Sequence, residues 1–132
     1  MNTTSHPLVA TTDLLGRILL ALIFIVSGFG KITGYADTQG YMEAFGVPGM
    51  LLPLVIAAEL GLGILLVIGY RTRLAAAGLA AFTLLSGLIF HFDLGDPGEQ
   101  IQLMKNLAMT GGLMIVALHG AGAWSLDGKR RS

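Results

Sequence analysis

Cysteine is absent from this 132-residue chain, and charge is scarce. Without Cys there is no disulfide, no thiolate-held iron–sulfur cluster, no Cys-ligated zinc and no catalytic thiol. Asp, Glu, Lys and Arg together make 12% of the residues, about half of the roughly 25% usual in soluble domains. Eight basic and eight acidic side chains cancel to a formal net charge of zero, so the basic patch that nucleic acid requires is missing. So few charges cover the surface of a soluble protein of this size poorly. Strand-like alternation is missing too, because the apolar runs are continuous, which argues against a transmembrane β-barrel. What is present is 54% hydrophobic residues and a mean hydropathy of +0.74. That combination excludes a disordered chain and points to a small integral membrane protein, read as a single transmembrane domain over residues 1–132.

The charges bracket four apolar stretches. The first, residues 14–32, is interrupted by Arg17 and, next to its end, by Lys31, and the second, residues 50–70, only by Glu59. The third, residues 74–92, has His91 as its one ionisable group; the fourth runs from about Asn106 to Leu126, its membrane part ending near His119, with its first turns from Pro97 in the headgroup zone. About 20 apolar residues cross the hydrocarbon layer as a helix, so helices are expected at about 12–33, 50–70, 73–92 and 97–120. A soluble four-helix bundle would need a polar face on each helix, and the third stretch, LAAAGLAAFTLLSGLIFHF, has none. The fold class is therefore all-α: an integral membrane antiparallel four-helix bundle. Its orientation follows from Lys and Arg. With four spans, the termini and the middle loop share one side, which holds Arg17, Arg71, Arg73, Lys129, Arg130 and Arg131; the other holds only Lys31 and Lys105. Both termini are thus expected to face the cytoplasm. The first span reads as an uncleaved signal-anchor, since its leader lacks a positive n-region and its distal end, SGFGKITGY, lacks an Ala-x-Ala site. On a cytoplasmic terminus the Asn2-Thr3-Thr4 glycosylation pattern is empty.

Residues 34–48, with Tyr41, Met42 and Phe45, suit a short interfacial helix, capped by Asp37 and stopped by Gly46 and Pro48. It reads either as a lid over an outward cavity or as a loop too apolar to leave the interface. Arg71 and Arg73 read as orientation determinants that snorkel to anionic headgroups. Asp96-Pro97-Gly98-Glu99 has the form of a helix start, with Asp96 as N-cap, Pro97 at N1 and Glu99 at N3. His91, Asp93, Asp96 and Glu99 carry hard ligand groups, but capping already accounts for two of them, and no metal site is expected.

Ionisable groups inside a span face the protein interior. At 100° per residue, Asp13, Arg17, Leu20, Phe24, Ser27 and Lys31 form one stripe on the first helix, with Asp13 and Arg17 spaced to pair. Glu59 lies about nine residues, or ~14 Å, below Met50 and must be protonated, hydrogen-bonded or paired; Arg17 is one candidate partner. Ala57 and Gly61 form a small-xxx-small surface near it. Below His91 the third helix presents Gly87, Leu84, Ala80 and Ala77, and the fourth aligns Glu99, Gln102, Asn106, Thr110, Leu113 and Ala117. If these faces converge, Lys31, Glu59, His91 and Asn106 meet in the outer half, with Lys105 at the edge. Such a set reads either as a polar network fixing helix order or as a cavity for a small, anionic or redox-active molecule.

Gly16-Arg17, Phe24, Ser27-Gly28 and Lys31 in helix one, Glu59-Leu60-x-Leu62-Gly63 with Gly69-Tyr70 in helix two, His91, and Lys105-Asn106-Leu107 opening helix four stand in an order that resembles the DoxX family of small bacterial membrane proteins. The resemblance spans roughly residues 14–120. It implies a link to thiosulfate:quinone oxidoreduction and to oxidative-stress systems, with a soluble or membrane oxidoreductase as partner. It marks Arg17, Lys31, Lys105 and Asn106 as cofactor-binding candidates and Glu59 and His91 as proton-handling, catalytic ones. No covalent cofactor is expected, and any electron transfer needs a bound quinone or a partner. Three functions stay open at this point. One is an oxidoreductase-linked membrane protein holding a quinone or small sulfur anion. Another is a proton-coupled transporter, which with four helices needs a homodimer. The third is a non-catalytic assembly protein. Membrane lipid is a partner in every case, and nucleic acid in none.

Overall fold

The computed structural model describes residues 6–131, which leaves the Asn2-Thr3-Thr4 pattern outside. The described chain is all-α: α1 (Pro7–Thr33), α2 (Tyr35–Ala44), α3 (Gly49–Ile68), α4 (Thr72–Phe90), α5 (Pro97–His119) and α6 (Leu126–Arg131). Helices α1, α3, α4 and α5 are each long and apolar enough to cross a membrane, yet only 17–33% of their most apolar windows is buried within the protein. Leu19, Met50 and Leu118 are 69%, 81% and 68% exposed. Side chains of this kind point outward because lipid, not water, is their solvent.

α1 starts at Pro7, before the start near residue 12 that the apolar run suggests. The run marks the membrane part, whereas the helix start is set by His6, whose Nδ1 accepts the Leu8 N–H, and by Pro7, whose missing N–H costs nothing there. Thr11 and Thr12 stay helical by returning their hydroxyls to the Pro7 and Leu8 carbonyls. α5 starts at Pro97 as its sequence predicts, with Asp96 Oδ1 accepting the Gly98 N–H at 2.9 Å. Asp37 does not cap α2; it lies in the first turn, and Gly34 is the N-cap.

α3 opens with a 3₁₀ turn and carries one π-helical turn, Ala58–Leu62. A π turn inserts one extra residue, so the faces on its two sides are out of phase by about 100°. The expected small-residue contact is not made, because at 100° per residue Ala57 and Gly61 lie about 160° from Glu59, on the opposite face. Ala57 and Gly61 are exposed, and the close approaches to α1 occur at Gly63 and Gly28 instead. A Cβ on Gly63 would come 3.1 Å from Ile25 Cγ1, and one on Gly28 would come 2.7 Å from Leu60 Cγ. Ala21 and Phe24 of α1, Leu66 of α3, Ala76 and Leu79 of α4 and Leu113 of α5 form the core.

Arg17, 1% exposed, anchors one end. Its Nε donates to Asp13 Oδ2 at 2.9 Å, as the spacing predicts, while Nη1 donates to the Leu66 and Val67 carbonyls at 3.1 and 2.7 Å and Nη2 to the Trp124 carbonyl at 2.6 Å. Those carbonyls belong to the last turn of α3 and to the segment before α6, so one side chain ties three parts of the chain together. Asp127 Oδ1 accepts the Arg71 N–H, and Oδ2 accepts the Thr72 N–H and hydroxyl, capping α4 from α6. Asp127→Ala is expected to lower the unfolding free energy by about 1–2 kcal/mol, measured by denaturant titration of the protein in detergent.

Candidate functional site

The inward stripe of α1 continues beyond Phe24 through Ser27 to Lys31, and the π turn of α3 presents Glu59 to it. Lys31 Nζ lies 2.7 Å from Glu59 Oε1 and also donates to Ser27 Oγ. Glu59 is 4% exposed. An unpaired charge at such a place is costly, so each member of the pair makes the other tolerable. The contact is ionic rather than a well-aimed hydrogen bond, since Oε1 meets no aligned donor in the protein. Arg17 is therefore not the partner of Glu59. Its position near the start of α1 puts it at the opposite end, on carbonyls that the helix ends leave unpaired.

On the far wall, Asn106 Nδ2 donates to the Thr83 carbonyl at 3.1 Å, and Thr110 Oγ1 donates to the Asn106 carbonyl at 2.7 Å. Gly87 makes this possible, since even a Cβ there would stand 3.0 Å from Asn106 Cβ. Thr83 is 2% exposed, and its Oγ1 has no hydrogen-bond partner in the protein. His91 is the C-cap of α4, and its Nδ1 lies 2.7 Å from Glu99 Oε2 in the first turn of α5. Glu99 thus reaches across to α4 rather than closing a capping box on its own helix.

Lys31, Glu59, Thr83, His91 and Asn106 line one cavity of about 400 Å³ whose remaining walls are mostly apolar, Phe24, Val55, Phe82 and Ile89 among them. This is within the size range of small-molecule sites. Four of the six residues singled out from sequence are thus brought together. Arg17 and Lys105 are not: the first is at the other end, and the second is exposed beside the cavity without lining it. α2 covers the outer end with Thr38, Tyr41 and Met42, and Gln39 Nε2 fastens it to the Gly49 carbonyl at 3.1 Å. The rings of Tyr41, Phe45 and Phe90 meet pairwise with centroids 5.0–5.4 Å apart. Burial, and secondly the Glu99 charge, push the Tyr41 phenol above its ordinary range, so at neutral pH it remains a hydroxyl that can donate.

Thr83 is the residue that sequence reading missed. The expected ladder on the third helix was stepped back from His91, but His91 has left helical geometry, with φ −128° and ψ 28°. Stepping from it chose Leu84 and Ala77, which are exposed. The buried face instead runs through Ala76, Leu79, Ala80, Thr83 and Gly87. The signal was a hydroxyl four residues before Gly87 in a span, residues 74–92, whose one other hydroxyl is Ser86. Chemically, the cavity offers the Glu59 carboxylate set against Lys31, the His91 imidazole held by Glu99, the hydroxyls of Tyr41, Thr83 and Ser86, and apolar walls: a place to hold a compact, largely apolar molecule and exchange protons with it.

The DoxX family profile matches residues 12–92, stopping before α5 and so covering less than the 14–120 of the motif resemblance. "Inner membrane protein YqjF" of Escherichia coli (strain K12) is 48% identical over 114 residues, covering 86% of this chain and 88% of that protein. "Inner membrane protein YphA" of the same strain is 36% identical over 121 residues, 86% of each chain. "Putative oxidoreductase CatD" of Bacillus subtilis (strain 168) is 33% identical over 76 residues, 58% of this chain and 56% of that protein. No solved structure matches. With four apolar spans, a profile match over most of its length and relatives named as inner membrane proteins, this chain belongs to the DoxX family of small bacterial membrane proteins.

Proposed function

We propose that this protein is the membrane component of an oxidoreductase system and that its cavity holds the ring of a quinone. The observation that carries the reading is the pairing of Lys31 with buried Glu59 at 2.7 Å on the wall of an apolar cavity that also exposes an unpartnered Thr83 hydroxyl. The sequence alone left a sulfur anion equally open. The pairing favours the neutral ring, because an anion entering here would meet a lysine already neutralised and a carboxylate beside it. A quinone carbonyl asks instead for a hydrogen-bond donor, which Thr83 Oγ1 and Lys31 Nζ supply, while aromatic and aliphatic walls take the ring. Reduction of a quinone consumes two electrons and two protons. The electrons come from a partner oxidoreductase, and the chain's own part is to orient the ring and to pass protons at the Glu59 carboxylate and the His91 imidazole. The relative named an oxidoreductase supports the redox setting.

The same reading sets orientation. Arg17, Arg71, Arg73, Lys129 and Arg130 share the end that holds the start of α1 and α6, and by the positive-inside rule that end faces the cytoplasm. The helices then run antiparallel, and the cavity opens toward the outer face under α2.

Protein purified in mild detergent and examined by native mass spectrometry with solvent extraction is expected to retain quinone. Thr83→Val keeps shape and removes the hydroxyl. It is expected to lower quinone occupancy by about five- to tenfold, the worth of one hydrogen bond. Absence of quinone from the wild-type protein, or melting raised by thiosulfate and not by quinone, contradicts the reading.

A further inference from the structure

A second cleft, of about 430 Å³, lies at the end of the bundle away from the cavity, and three arginines line it: Arg71, Arg73 and Arg130. We propose that this cleft binds the phosphate of an anionic phospholipid headgroup.

The fold assembles the cleft from distant parts of the chain. Arg71 and Arg73 flank the start of α4, and α6 brings Arg130 to them. The Arg71 and Arg130 guanidinium groups both lie over the Tyr70 ring, 5.9 and 5.6 Å from its centroid. Arg73 is drawn in by the His119 carbonyl at 3.4 Å. Arg71 has φ 48° and ψ 47°, a left-handed conformation that side-chain-bearing residues seldom adopt. It is kept there by Asp127, which accepts its N–H at 2.9 Å. The fold therefore holds like charges close together against their repulsion.

Asp127, which also lines the cleft, sets one negative charge against the three positive ones, and its oxygens accept from the backbone of Arg71 and Thr72 and from the Thr72 hydroxyl. Among the described residues, the ion pairs at Arg17, Lys31 and His91 involve none of the three arginines. First through a hydrogen bond from Arg71 and then through the Arg71 and Arg130 charges, the Tyr70 phenol is held below its ordinary range, which is the mark of a positive local field. Forked guanidinium groups match phosphate oxygens in pairs. A lipid is favoured over a free ion by what surrounds the cleft. Leu74 on its wall is 67% exposed, and Trp124, in the segment joining α5 to α6, is 50% exposed. These are surfaces for acyl chains and for the headgroup layer, where indole rings gather.

The test uses the full-length protein in mild detergent, with phosphatidylglycerol and phosphatidylcholine of identical acyl chains, read by native mass spectrometry. Phosphatidylglycerol is expected to stay bound at about tenfold or greater preference, and Arg130→Gln to reduce that preference several-fold, on the order of one basic side chain's share. Arg130 is chosen first because Arg71 and Arg73 border the loop between two spans, where a lost charge can also disturb insertion. The triple variant, Arg71, Arg73 and Arg130 each changed to Gln, is expected to lose the preference altogether. Should it fail to insert, the wild-type preference and Arg130→Gln decide the matter. Equal retention of the two lipids, or a preference unchanged by Arg130→Gln, overturns the proposal. Thermal stabilisation by inorganic phosphate equal to that by phosphatidylglycerol overturns the lipid assignment. None of these outcomes depends on what occupies the cavity at the other end.

Discussion

Lys31→Met is expected to destabilise the protein by about 3–5 kcal/mol, because it leaves the Glu59 carboxylate buried with no counter-charge. Glu59 is 4% exposed, and the lost partner stands 2.7 Å away. The double variant Lys31→Met, Glu59→Met is expected to recover most of the stability, since an apolar pair of similar volume often equals or betters a buried ion pair. Unfolding in mixed detergent micelles measures both. A Lys31→Met protein within about 1 kcal/mol of the wild type, the range of exposed ion pairs, would show that the two charges do not depend on each other. Quinone occupancy then separates two roles for the pair. Recovered stability without recovered occupancy means that the charges serve the ligand. Recovery of both means that they only fix the packing of α1 on α3.

At the other end, Arg17→Gln is expected to cost about 3–5 kcal/mol, as for breaking a buried, hydrogen-bonded charge pair. Arg17 serves four acceptors, the Asp13 carboxylate and the carbonyls of Leu66, Val67 and Trp124, from a side chain 1% exposed. Arg17→Lys should not rescue it, because one ammonium cannot reach acceptors that a planar fork meets through three different nitrogens. Residues 120–131 lose an anchor when the Trp124 carbonyl loses its donor. Limited proteolysis of the variant should therefore cut there first, with Asp13 still holding the Gly122 N–H at 2.8 Å. Binding in the cavity should be little changed, since Arg17 does not line it. Cleavage no faster than in the wild type would remove Arg17 from this role.

Much of the site was legible residue by residue. Asp13, Arg17, Phe24, Ser27 and Lys31 face inward as one stripe because a single unbroken helix keeps its phase. The Asn106–Thr110–Leu113 face of α5 is buried for the same reason. Legibility failed where the phase broke. The non-helical backbone of His91 misdirected the reading of α4 and hid Thr83. It failed again where a partner is distant in sequence. Arg17 had a plausible claim on Glu59, yet neighbouring carbonyls left open at helix ends took it instead.

The sequence by itself determined that the chain is helical, spans a membrane four times and turns Arg17, Lys31 and Glu59 inward, because hydropathy and helical period are properties of consecutive residues. Tertiary structure alone decided that Lys31 pairs with Glu59, that Thr83 opens on the cavity and that three arginines gather around Tyr70. Those outcomes depend on how each helix is rotated and how closely it packs. Contacts between helices set that rotation, and no single stretch of sequence contains them.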